Sequence, residues 1–251
     1  MEISKTKVSI LSSLSSKKMR QKYGLFLAEG TKCVFDMLGA FELVSIVATD
    51  GWLKKHIIPK DIEDSQILTA GEETMKKISS LSTPSEVIAV FKLPTDVDDG
   101  IEIFDDRLYL MLDGIQDPGN FGTIIRTADW FGFDMVICSK DTVDVYNPKV
   151  VQATMGSLKR VRVVYTDLPN LIKECRITPV YGTMLEGENI FEKKLLAKGV
   201  IIMGNEGKGL SEEIRGLVTD PLLIPPTRKD THAESLNVAI ATAITIAQFR
   251  K

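Results

Sequence analysis

The chain has 251 residues, of which 44% are hydrophobic and 26% are charged, and its formal net charge is −3. These values are ordinary for one large or two smaller globular domains. No apolar run reaches the roughly 18–20 residues that a membrane helix needs, and the N-terminus lacks the apolar core of a signal peptide. Three widely spaced cysteines and two histidines argue against a disulfide framework, a thiolate zinc site or a histidine-rich metal centre. We therefore expect a cytoplasmic protein without a bound metal.

The first 34 residues carry a local excess of positive charge. Seven lysines and arginines stand there against two glutamates, an excess of five positive charges: Lys5, Lys7, Lys17, Lys18, Arg20, Lys22 and Lys32 against Glu2 and Glu29. Because phosphate neutralisation is a local effect, a basic arm can bind RNA on an acidic protein. The alternative interpretation is a solvated, basic helix face.

The strand-like and helical patterns alternate along most of the chain. Strand-like runs lie at 25–30, 43–49, 65–70 and 87–93, and again at 107–112, 133–138, 160–165, 179–184 and 199–204. This rhythm is typical of βαβ units and, after residue 107, of a parallel sheet. Between the two groups, residues 92–107 hold Pro94, Gly100 and six acids, a composition that resists packing. We expect domains at 1–94 and 107–251, joined by an acidic linker at 95–106.

The first polar motif is the run "LDGIQDPGNFGTIIRTADWFG" at 112–132. Its turn sequence ends in Asn120, which we predict to be the N-cap of the following helix. Arg126 lies off the apolar stripe of that helix, where a guanidinium can donate several hydrogen bonds to a phosphate. The alternative is a surface ion pair between Arg126 and Asp129, three residues later.

The second motif, "GNEGKGLS", follows an apolar strand at 204–211. Its glycines allow a backbone to approach a ligand closely. The motif is not a phosphate P-loop, because Lys208 is followed by Gly209, and it is not the dinucleotide fingerprint either. Glu206 is a candidate active-site acid, and the alternative is a solvated turn residue.

The third motif opens the last helix, for which "THAE" at 231–234 predicts a capping box. Ser235 and Asn237 flank Leu236, and residues two apart on a helix point in different directions. One of the two can therefore face a cofactor while the other faces the substrate or the backbone. The alternative is that both only cap the helix. We interpret His232 as a loop residue.

The three motifs resemble motifs 1, 2 and 3 of the SpoU (TrmH-like) RNA 2′-O-ribose methyltransferases, SPOUT-class enzymes that use S-adenosylmethionine. The runs "NFGTIIR", "GNEGKGLS" and "SLNV" carry the resemblance and stand in the family's order. Residues 15–38 and the run "LSTPSEVIAVFKLP" look like the family's L30e-like substrate-binding domain. Two departures are Ser85-Glu86, where the family usually has Gln-Gly, and a longer loop between Ile224 and Ser235.

The resemblance implies an α/β fold: a C-terminal parallel-sheet SPOUT domain with a trefoil knot, preceded by a smaller α/β L30e-like domain. It also implies a homodimer through the knotted domain. The catalytic residues it implies are Asn120, Arg126, Glu206, Ser235 and Asn237. The implied cofactor-binding residues are Thr183, Gly204, Asn205, Ile224, Ser235 and Leu236. The implied RNA contacts are Lys17, Lys18 and Arg20, and "YGTMLEGENIF" places Thr183 at the end of a strand.

The expected activity is transfer of a methyl group from S-adenosylmethionine to a ribose 2′-hydroxyl of RNA, with ribosomal RNA favoured over transfer RNA. We assign Arg126 to clamping a phosphate, because a guanidinium hardly loses its proton in proteins. Proton removal stays open among Glu206, a bound water and the RNA phosphate. The alternatives are a tRNA enzyme of the same fold, an RNA-binding factor without catalysis, and a nucleotide-dependent oxidoreductase, which the missing dinucleotide fingerprint disfavours.

Overall fold

The structure is a computed structural model that describes residues 1–94, 101–227 and 235–251, and these fall into two units. The first unit contains residues 1–94 and 144–159, and the second contains residues 101–143 and the described residues from 160 onward. The helices are α1 Lys5–Ser13, α2 Lys17–Tyr23, α3 Thr31–Met37, α4 Asp50–Lys55, α5 Glu72–Ile78, α6 Pro118–Trp130, α7 Pro148–Thr154, α8 Leu168–Glu174, α9 Glu212–Arg215 and α10 Val238–Phe249. The strands are β1 Leu25–Glu29, β2 Leu43–Ala48, β3 Ile67–Thr69, β4 Val87–Lys92, β5 Leu108–Asp113, β6 Met135–Ser139, β7 Arg162–Thr166, β8 Val180–Asn189, β9 Gly199–Gly204 and β10 Asp220–Leu223.

The first unit is built on a four-stranded sheet in the order β1-β4-β2-β3. The β1/β4 and β2/β4 pairs are antiparallel and the β2/β3 pair is parallel. The four strands coincide with the strand-like runs predicted before residue 94. Their apolar side chains pack with those of α1 and α5 into one core cluster, which includes Leu11, Leu14, Val47, Met75 and Ile88.

The segment 144–159 belongs to this first unit, although we expected it in the C-terminal domain. The Tyr146 ring lies 4.8 Å from the Phe26 ring, centroid to centroid, and Val150 and Val151 are fully buried. The Cys33 sulfur is 3.9 Å from the Val151 carbonyl oxygen. The segment therefore contributes apolar side chains to the core of the first unit. The predicted division at 95–106 stays a prediction.

The second unit is built on a parallel six-stranded sheet in the order β10-β8-β9-β5-β6-β7. Its central strands are apolar on both faces: all six residues of β5 and all six of β9 are buried. Continuous burial of this kind is typical of a parallel sheet covered by helices. The predicted α/β class, with a parallel-sheet domain after a smaller α/β domain, is confirmed, and the trefoil knot stays a prediction. None of the helices in the described part is long and apolar enough to span a membrane.

Candidate active site

The site lies at the carboxyl edge of the second unit's sheet. Strands β5 and β9 are parallel neighbours and end in register, with Asp113 opposite Gly204. The loops that carry the first and second motifs therefore leave the sheet side by side. Strand β8 lies beside β9, and β10 lies on the outer side of β8, both in the same direction. Ligands of parallel α/β sheets bind at this edge, where strand ends expose backbone groups.

The first motif turns into helix α6 through Asp117, which is the N-cap. Its carboxylate accepts a hydrogen bond from the Asn120 backbone N–H at 2.7 Å, and Pro118 occupies the first helical position. Our prediction that Asn120 is the N-cap is therefore wrong. The sequence held the signal, because an N-cap aspartate followed by proline at the first position is a preferred helix start. The consequence is that the Asn120 side-chain amide is not used for capping.

The Asn120 amide instead joins the three motifs. Its Nδ2 donates to Glu206 Oε1 at 3.2 Å, and its Oδ1 accepts from Asn237 Nδ2 at 2.8 Å. The Glu206 carboxylate also accepts from the backbone N–H groups of Gln116 and Asp117, at 3.4 and 3.3 Å. Three of the five predicted catalytic residues thus form one hydrogen-bonded chain, drawn from three segments far apart in sequence.

Arg126 lies on the exposed side of α6, about one and a half helical turns after Asn120. The alternative interpretation as an ion pair with Asp129 is wrong, because Arg160 Nε and Nη2 bind both Asp129 oxygens at 2.6–3.1 Å. Within the described residues, the Arg126 guanidinium has no hydrogen-bond or ion-pair partner. A solvated guanidinium of this kind keeps all its donors for an incoming anion.

The second motif forms a tight loop from Asn205 to Gly209, closed by two backbone hydrogen bonds of 2.9 Å between those two residues. A Cβ atom at Gly204 would lie 2.4–2.6 Å from the backbone of Gly209 and Leu210. The loop itself therefore requires glycine at 204. A larger side chain at this position would displace the loop.

The third motif precedes helix α10, which begins at Val238 with Asn237 as its N-cap. Asn237 Oδ1 accepts from the backbone N–H groups of Ala239 and Ile240, at 2.9 and 3.3 Å. Asn237 therefore both caps the helix and reaches Asn120. Ser235 and Leu236 are exposed and not helical. The predicted helix start at 231–234 and His232 lie outside the described residues.

Thr183 lies within β8, and Ile224 follows β10. Our prediction that a strand ends near Thr183 is wrong, because β8 continues to Asn189. Strand β8 pairs with β9 only up to Gly182, whereas β10 pairs with β8 on both sides of a register shift, at 181–182 and at 188–189. Thr183 thus lies directly after the last β8 residue that pairs with β9. Ile224 is half-buried directly after β10.

The three predicted RNA contacts of the first unit differ in their exposure to solvent. Lys17 and Lys18 are exposed on the first turn of α2. Arg20 is only 2% exposed: its Nη1 donates to the Leu14 and Ser15 carbonyl oxygens at 2.8 and 2.9 Å, and its Nε donates to Asp144 at 3.1 Å. The interpretation of Arg20 as an RNA contact is therefore wrong, because its donors are engaged inside the first unit.

The geometry defines an α/β protein with three polar loops gathered at one sheet edge, and the helix that follows the first loop carries the exposed Arg126. In the described part of the chain, no group of three or more His, Cys, Asp or Glu side chains is placed to hold a metal ion.

The SpoU rRNA Methylase family model matches residues 107–247, and the MRM3-like substrate binding domain model matches residues 5–89. The chain belongs to the SpoU rRNA Methylase family.

Relatives match almost the whole chain. A 23S rRNA (guanosine(2553)-2′-O)-methyltransferase, RlmP, from Bacillus subtilis is 32% identical over 97% of this chain and 96% of its own. The solved structure of a protein assigned to the TrmH family of RNA methyltransferases, from Porphyromonas gingivalis, is 38% identical and superposes with a TM-score of 0.83 over 100% of this chain and 99% of that one. An AdoMet-bound rRNA methyltransferase from Sinorhizobium meliloti is 29% identical, with a TM-score of 0.84 over 100% and 97%.

Proposed function

We propose that this protein transfers a methyl group from S-adenosylmethionine to a ribose 2′-hydroxyl of ribosomal RNA. The observation that carries the proposal is the hydrogen-bonded chain from Glu206 through Asn120 to Asn237, together with an exposed Arg126 on the same helix as Asn120 that has no partner among the described residues. The B. subtilis relative is named as a 2′-O-methyltransferase of 23S rRNA, which supports ribosomal RNA as the substrate class. A ribosomal substrate also supports a cytoplasmic location.

The S-adenosylmethionine site that we propose is the carboxyl edge between Gly204, Ile224 and Leu236. Leu236 is 48% exposed and Ile224 is half-buried, so both offer apolar surface next to the backbone groups of the strand ends. Such surface suits an adenosine, and the S. meliloti relative is described as AdoMet-bound. The cofactor supplies an electrophilic methyl group when bound. Thr183 and Ser235 complete the proposed set.

We assign Arg126 to clamping an RNA phosphate, so that the ribose is held in line with the cofactor edge. Its planar guanidinium can form two parallel hydrogen bonds to a phosphate. Asn120, held at both ends of its amide by Glu206 and Asn237, is a fixed donor and acceptor next to that ribose. Proximity and preorganised polar groups of this kind lower the barrier to methyl transfer.

Lys17 and Lys18 are the RNA contacts that we retain in the first unit. Both are exposed on α2, and the domain in which they lie matches the MRM3-like substrate binding domain. Because lysines that bind phosphates act through charge, they hold RNA without regard to its sequence. The choice of nucleotide then depends on other groups.

We further propose a homodimer formed through the knotted domain. Helix α10 is almost entirely apolar, yet Ile240 on it is 52% exposed, and Trp130 at the end of the neighbouring helix α6 is 85% exposed. An apolar helix face that its own chain leaves uncovered suits a partner subunit. We expect twice the chain mass of 27.8 kDa in solution and a single chain mass for Ile240→Asp, measured by light scattering.

The test of the function uses the full chain with methyl-labelled S-adenosylmethionine and either a 23S rRNA transcript or tRNA. A 2′-O-methyl group prevents the ribose oxygen from attacking the adjacent phosphate, so the modified nucleotide leaves a gap in an alkaline cleavage ladder. Label in rRNA together with such a gap supports the proposal. Label in tRNA alone selects the tRNA alternative. Binding of RNA and cofactor without label would instead indicate an RNA-binding factor without catalysis.

A further inference from the structure

We propose that Asn205 is a positioning residue that fixes Glu206 against helix α6, and that its side chain is not a cofactor ligand. This inference rests on the proposed function. It departs from the expectation that Asn205 lines the cofactor pocket. Asn205 follows the last residue of β9 and precedes Glu206, so any movement of its backbone moves the Glu206 carboxylate.

The Asn205 side chain makes three hydrogen bonds within its own protein. Its Nδ2 donates to the Gly114 carbonyl oxygen at 2.7 Å, and its Oδ1 accepts from the backbone N–H groups of Gly207 and Lys208, both at 3.0 Å. These partners distinguish the side-chain nitrogen of Asn205 from its oxygen, because a backbone carbonyl only accepts hydrogen bonds and backbone N–H groups only donate them. Both acceptor positions of the Asn205 oxygen are thus occupied, and only one N–H of its amide is left for a ligand.

The bond to Gly114 joins the second motif to the first. Gly114 is the residue directly after β5 and has a φ of +71°, and its own N–H donates to Ser139 Oγ at 2.8 Å. Asn205 therefore pins the loop of the second motif to a backbone position that is itself held in place. Backbone in this left-handed region favours glycine, so the carbonyl direction depends on the residue type at 114.

The bond between Asn205 and Gly114 fixes the position of the Glu206 carboxylate. With the loop pinned, the Glu206 carboxylate reaches the backbone N–H groups of Gln116 and Asp117 and the amide of Asn120. Without the bond to Gly114, the loop keeps its internal bonds, but only the Glu206 bonds themselves and the bond from the Ser211 N–H to Asp113 hold it to the first motif. Side chains that must be held within a fraction of an ångström depend on such supporting bonds.

The Asn205→Asp variant removes only the hydrogen bond from Asn205 to the Gly114 carbonyl oxygen. The aspartate has the same shape and keeps an oxygen for Gly207 and Lys208, but it replaces the donor to the Gly114 carbonyl with a second acceptor. We expect kcat for methyl transfer to fall at least tenfold, while KM for RNA and the Kd of S-adenosylmethionine change less than threefold. Asn147→Asp is the matched control, because Asn147 Oδ1 caps α7 at the Lys149 N–H and an aspartate caps equally well.

A double-mutant cycle with Glu206→Gln separates positioning from a general loss of structure. If Asn205 acts through Glu206, the double variant is within threefold of Glu206→Gln alone. Additive losses in kcat would overturn the proposal. A fall in cofactor affinity as large as the fall in kcat would also overturn it and would restore the cofactor-ligand assignment. Should Asn205→Asp not fold, Asn205→Ser, which adds no charge, is expected to give the same non-additive result.

Hydrogen exchange measured by mass spectrometry gives a readout that needs neither RNA nor methyl transfer. We expect the amides of residues 116–120 to exchange faster in Asn205→Asp and in Glu206→Gln, by the same amount, while those of Gly207 and Lys208 stay protected in Asn205→Asp. Unchanged exchange at 116–120 in Asn205→Asp contradicts the proposal. If the exchange pattern holds but the wild-type protein methylates no RNA, the positioning role stands and the proposed function falls.

Discussion

Arg20 in the first unit and Arg126 in the second show how differently one residue type is used. Each lies on a helix, and each was a candidate for holding RNA. Arg20 is enclosed by two carbonyl oxygens and Asp144, whereas Arg126 is exposed and unpartnered within the described residues. The charge count that pointed to Arg20 carries no information about which way a side chain faces. The motif that pointed to Arg126 includes the apolar spacing of its helix, and this spacing indicates that the Arg126 side chain faces away from the core.

The largest effect that we expect is on methyl transfer by Arg126→Ala. Losing a preorganised donor to a charged group in an active site costs about 10²–10³ in rate, so kcat should fall by about that factor. Cofactor affinity and the unfolding midpoint should stay near wild type, because the side chain is exposed and has no hydrogen-bond or ion-pair partner among the described residues. Steady-state kinetics, calorimetry with S-adenosylmethionine and thermal unfolding check the three parts.

Two further variants sharpen the interpretation of Arg126. Arg126→Lys should fail almost as badly, because a point charge cannot reproduce a two-pronged phosphate contact. Arg162→Ala removes an exposed arginine from β7, an edge strand of the same sheet, and should leave kcat unchanged. Near-normal turnover by Arg126→Lys would show that only a positive charge is needed, and the clamp geometry would be refuted.

The next effect is on stability and concerns Arg20→Met. The methionine fills similar space but leaves Asp144 and the carbonyl groups of Leu14 and Ser15 without their donor. Removing one partner of a buried ion pair costs about 3–5 kcal/mol, and we expect the free energy of unfolding to fall by about 3 kcal/mol in urea. The RNA affinity of the protein that remains folded should not change.

Arg160→Met is the matched control for Arg20→Met. Arg160 also binds an aspartate, through two nitrogens, but its side chain is 55% exposed. Exposed pairs contribute roughly 0–1 kcal/mol, so this variant should unfold nearly as the wild type does. Equal destabilisation by the two substitutions would mean that burial is not what distinguishes Arg20.

A smaller effect is expected for the double substitution Lys17→Ala, Lys18→Ala. Each lost phosphate contact lowers the slope of log affinity against log salt by about 0.7–0.9, so two contacts predict a slope about 1.5 shallower and weaker binding to all RNA sequences. The control is Lys76→Ala, Lys77→Ala, which removes the same charge from helix α5 of the same unit. An equal loss in both pairs would indicate a net-charge effect, and α2 would not be the RNA-binding face.

The sequence predicted the strands and the parallel sheet well because apolar runs and turn residues act locally. It predicted that Asn120, Glu206 and Asn237 belong together only through a resemblance, since a contact between residues 86 and 117 positions apart leaves no local pattern. It missed that 144–159 packs in the first unit. The pairing of Asp144 with Arg20 joins residues 124 apart, and such a partner can be found only once both elements have been placed.

The last prediction, and the sharpest test of that missed packing, concerns the reactivity of Cys33. Burial, followed by the charges of Asp36 and Glu29, raises the pKa of its thiol from 9.0 to about 12. At pH 8 its thiolate is therefore about a thousandfold scarcer than that of an unshifted thiol. We expect iodoacetamide to label the half-buried Cys175 readily and Cys33 only in denaturant, as read by mass spectrometry. Because the Cys33 sulfur touches Val151, Arg20→Met should speed labelling of Cys33 by loosening 144–159. If Cys33 reacts as fast as Cys175 in the native wild-type protein, that segment does not cover it in solution, and the role assigned to Arg20 fails with it.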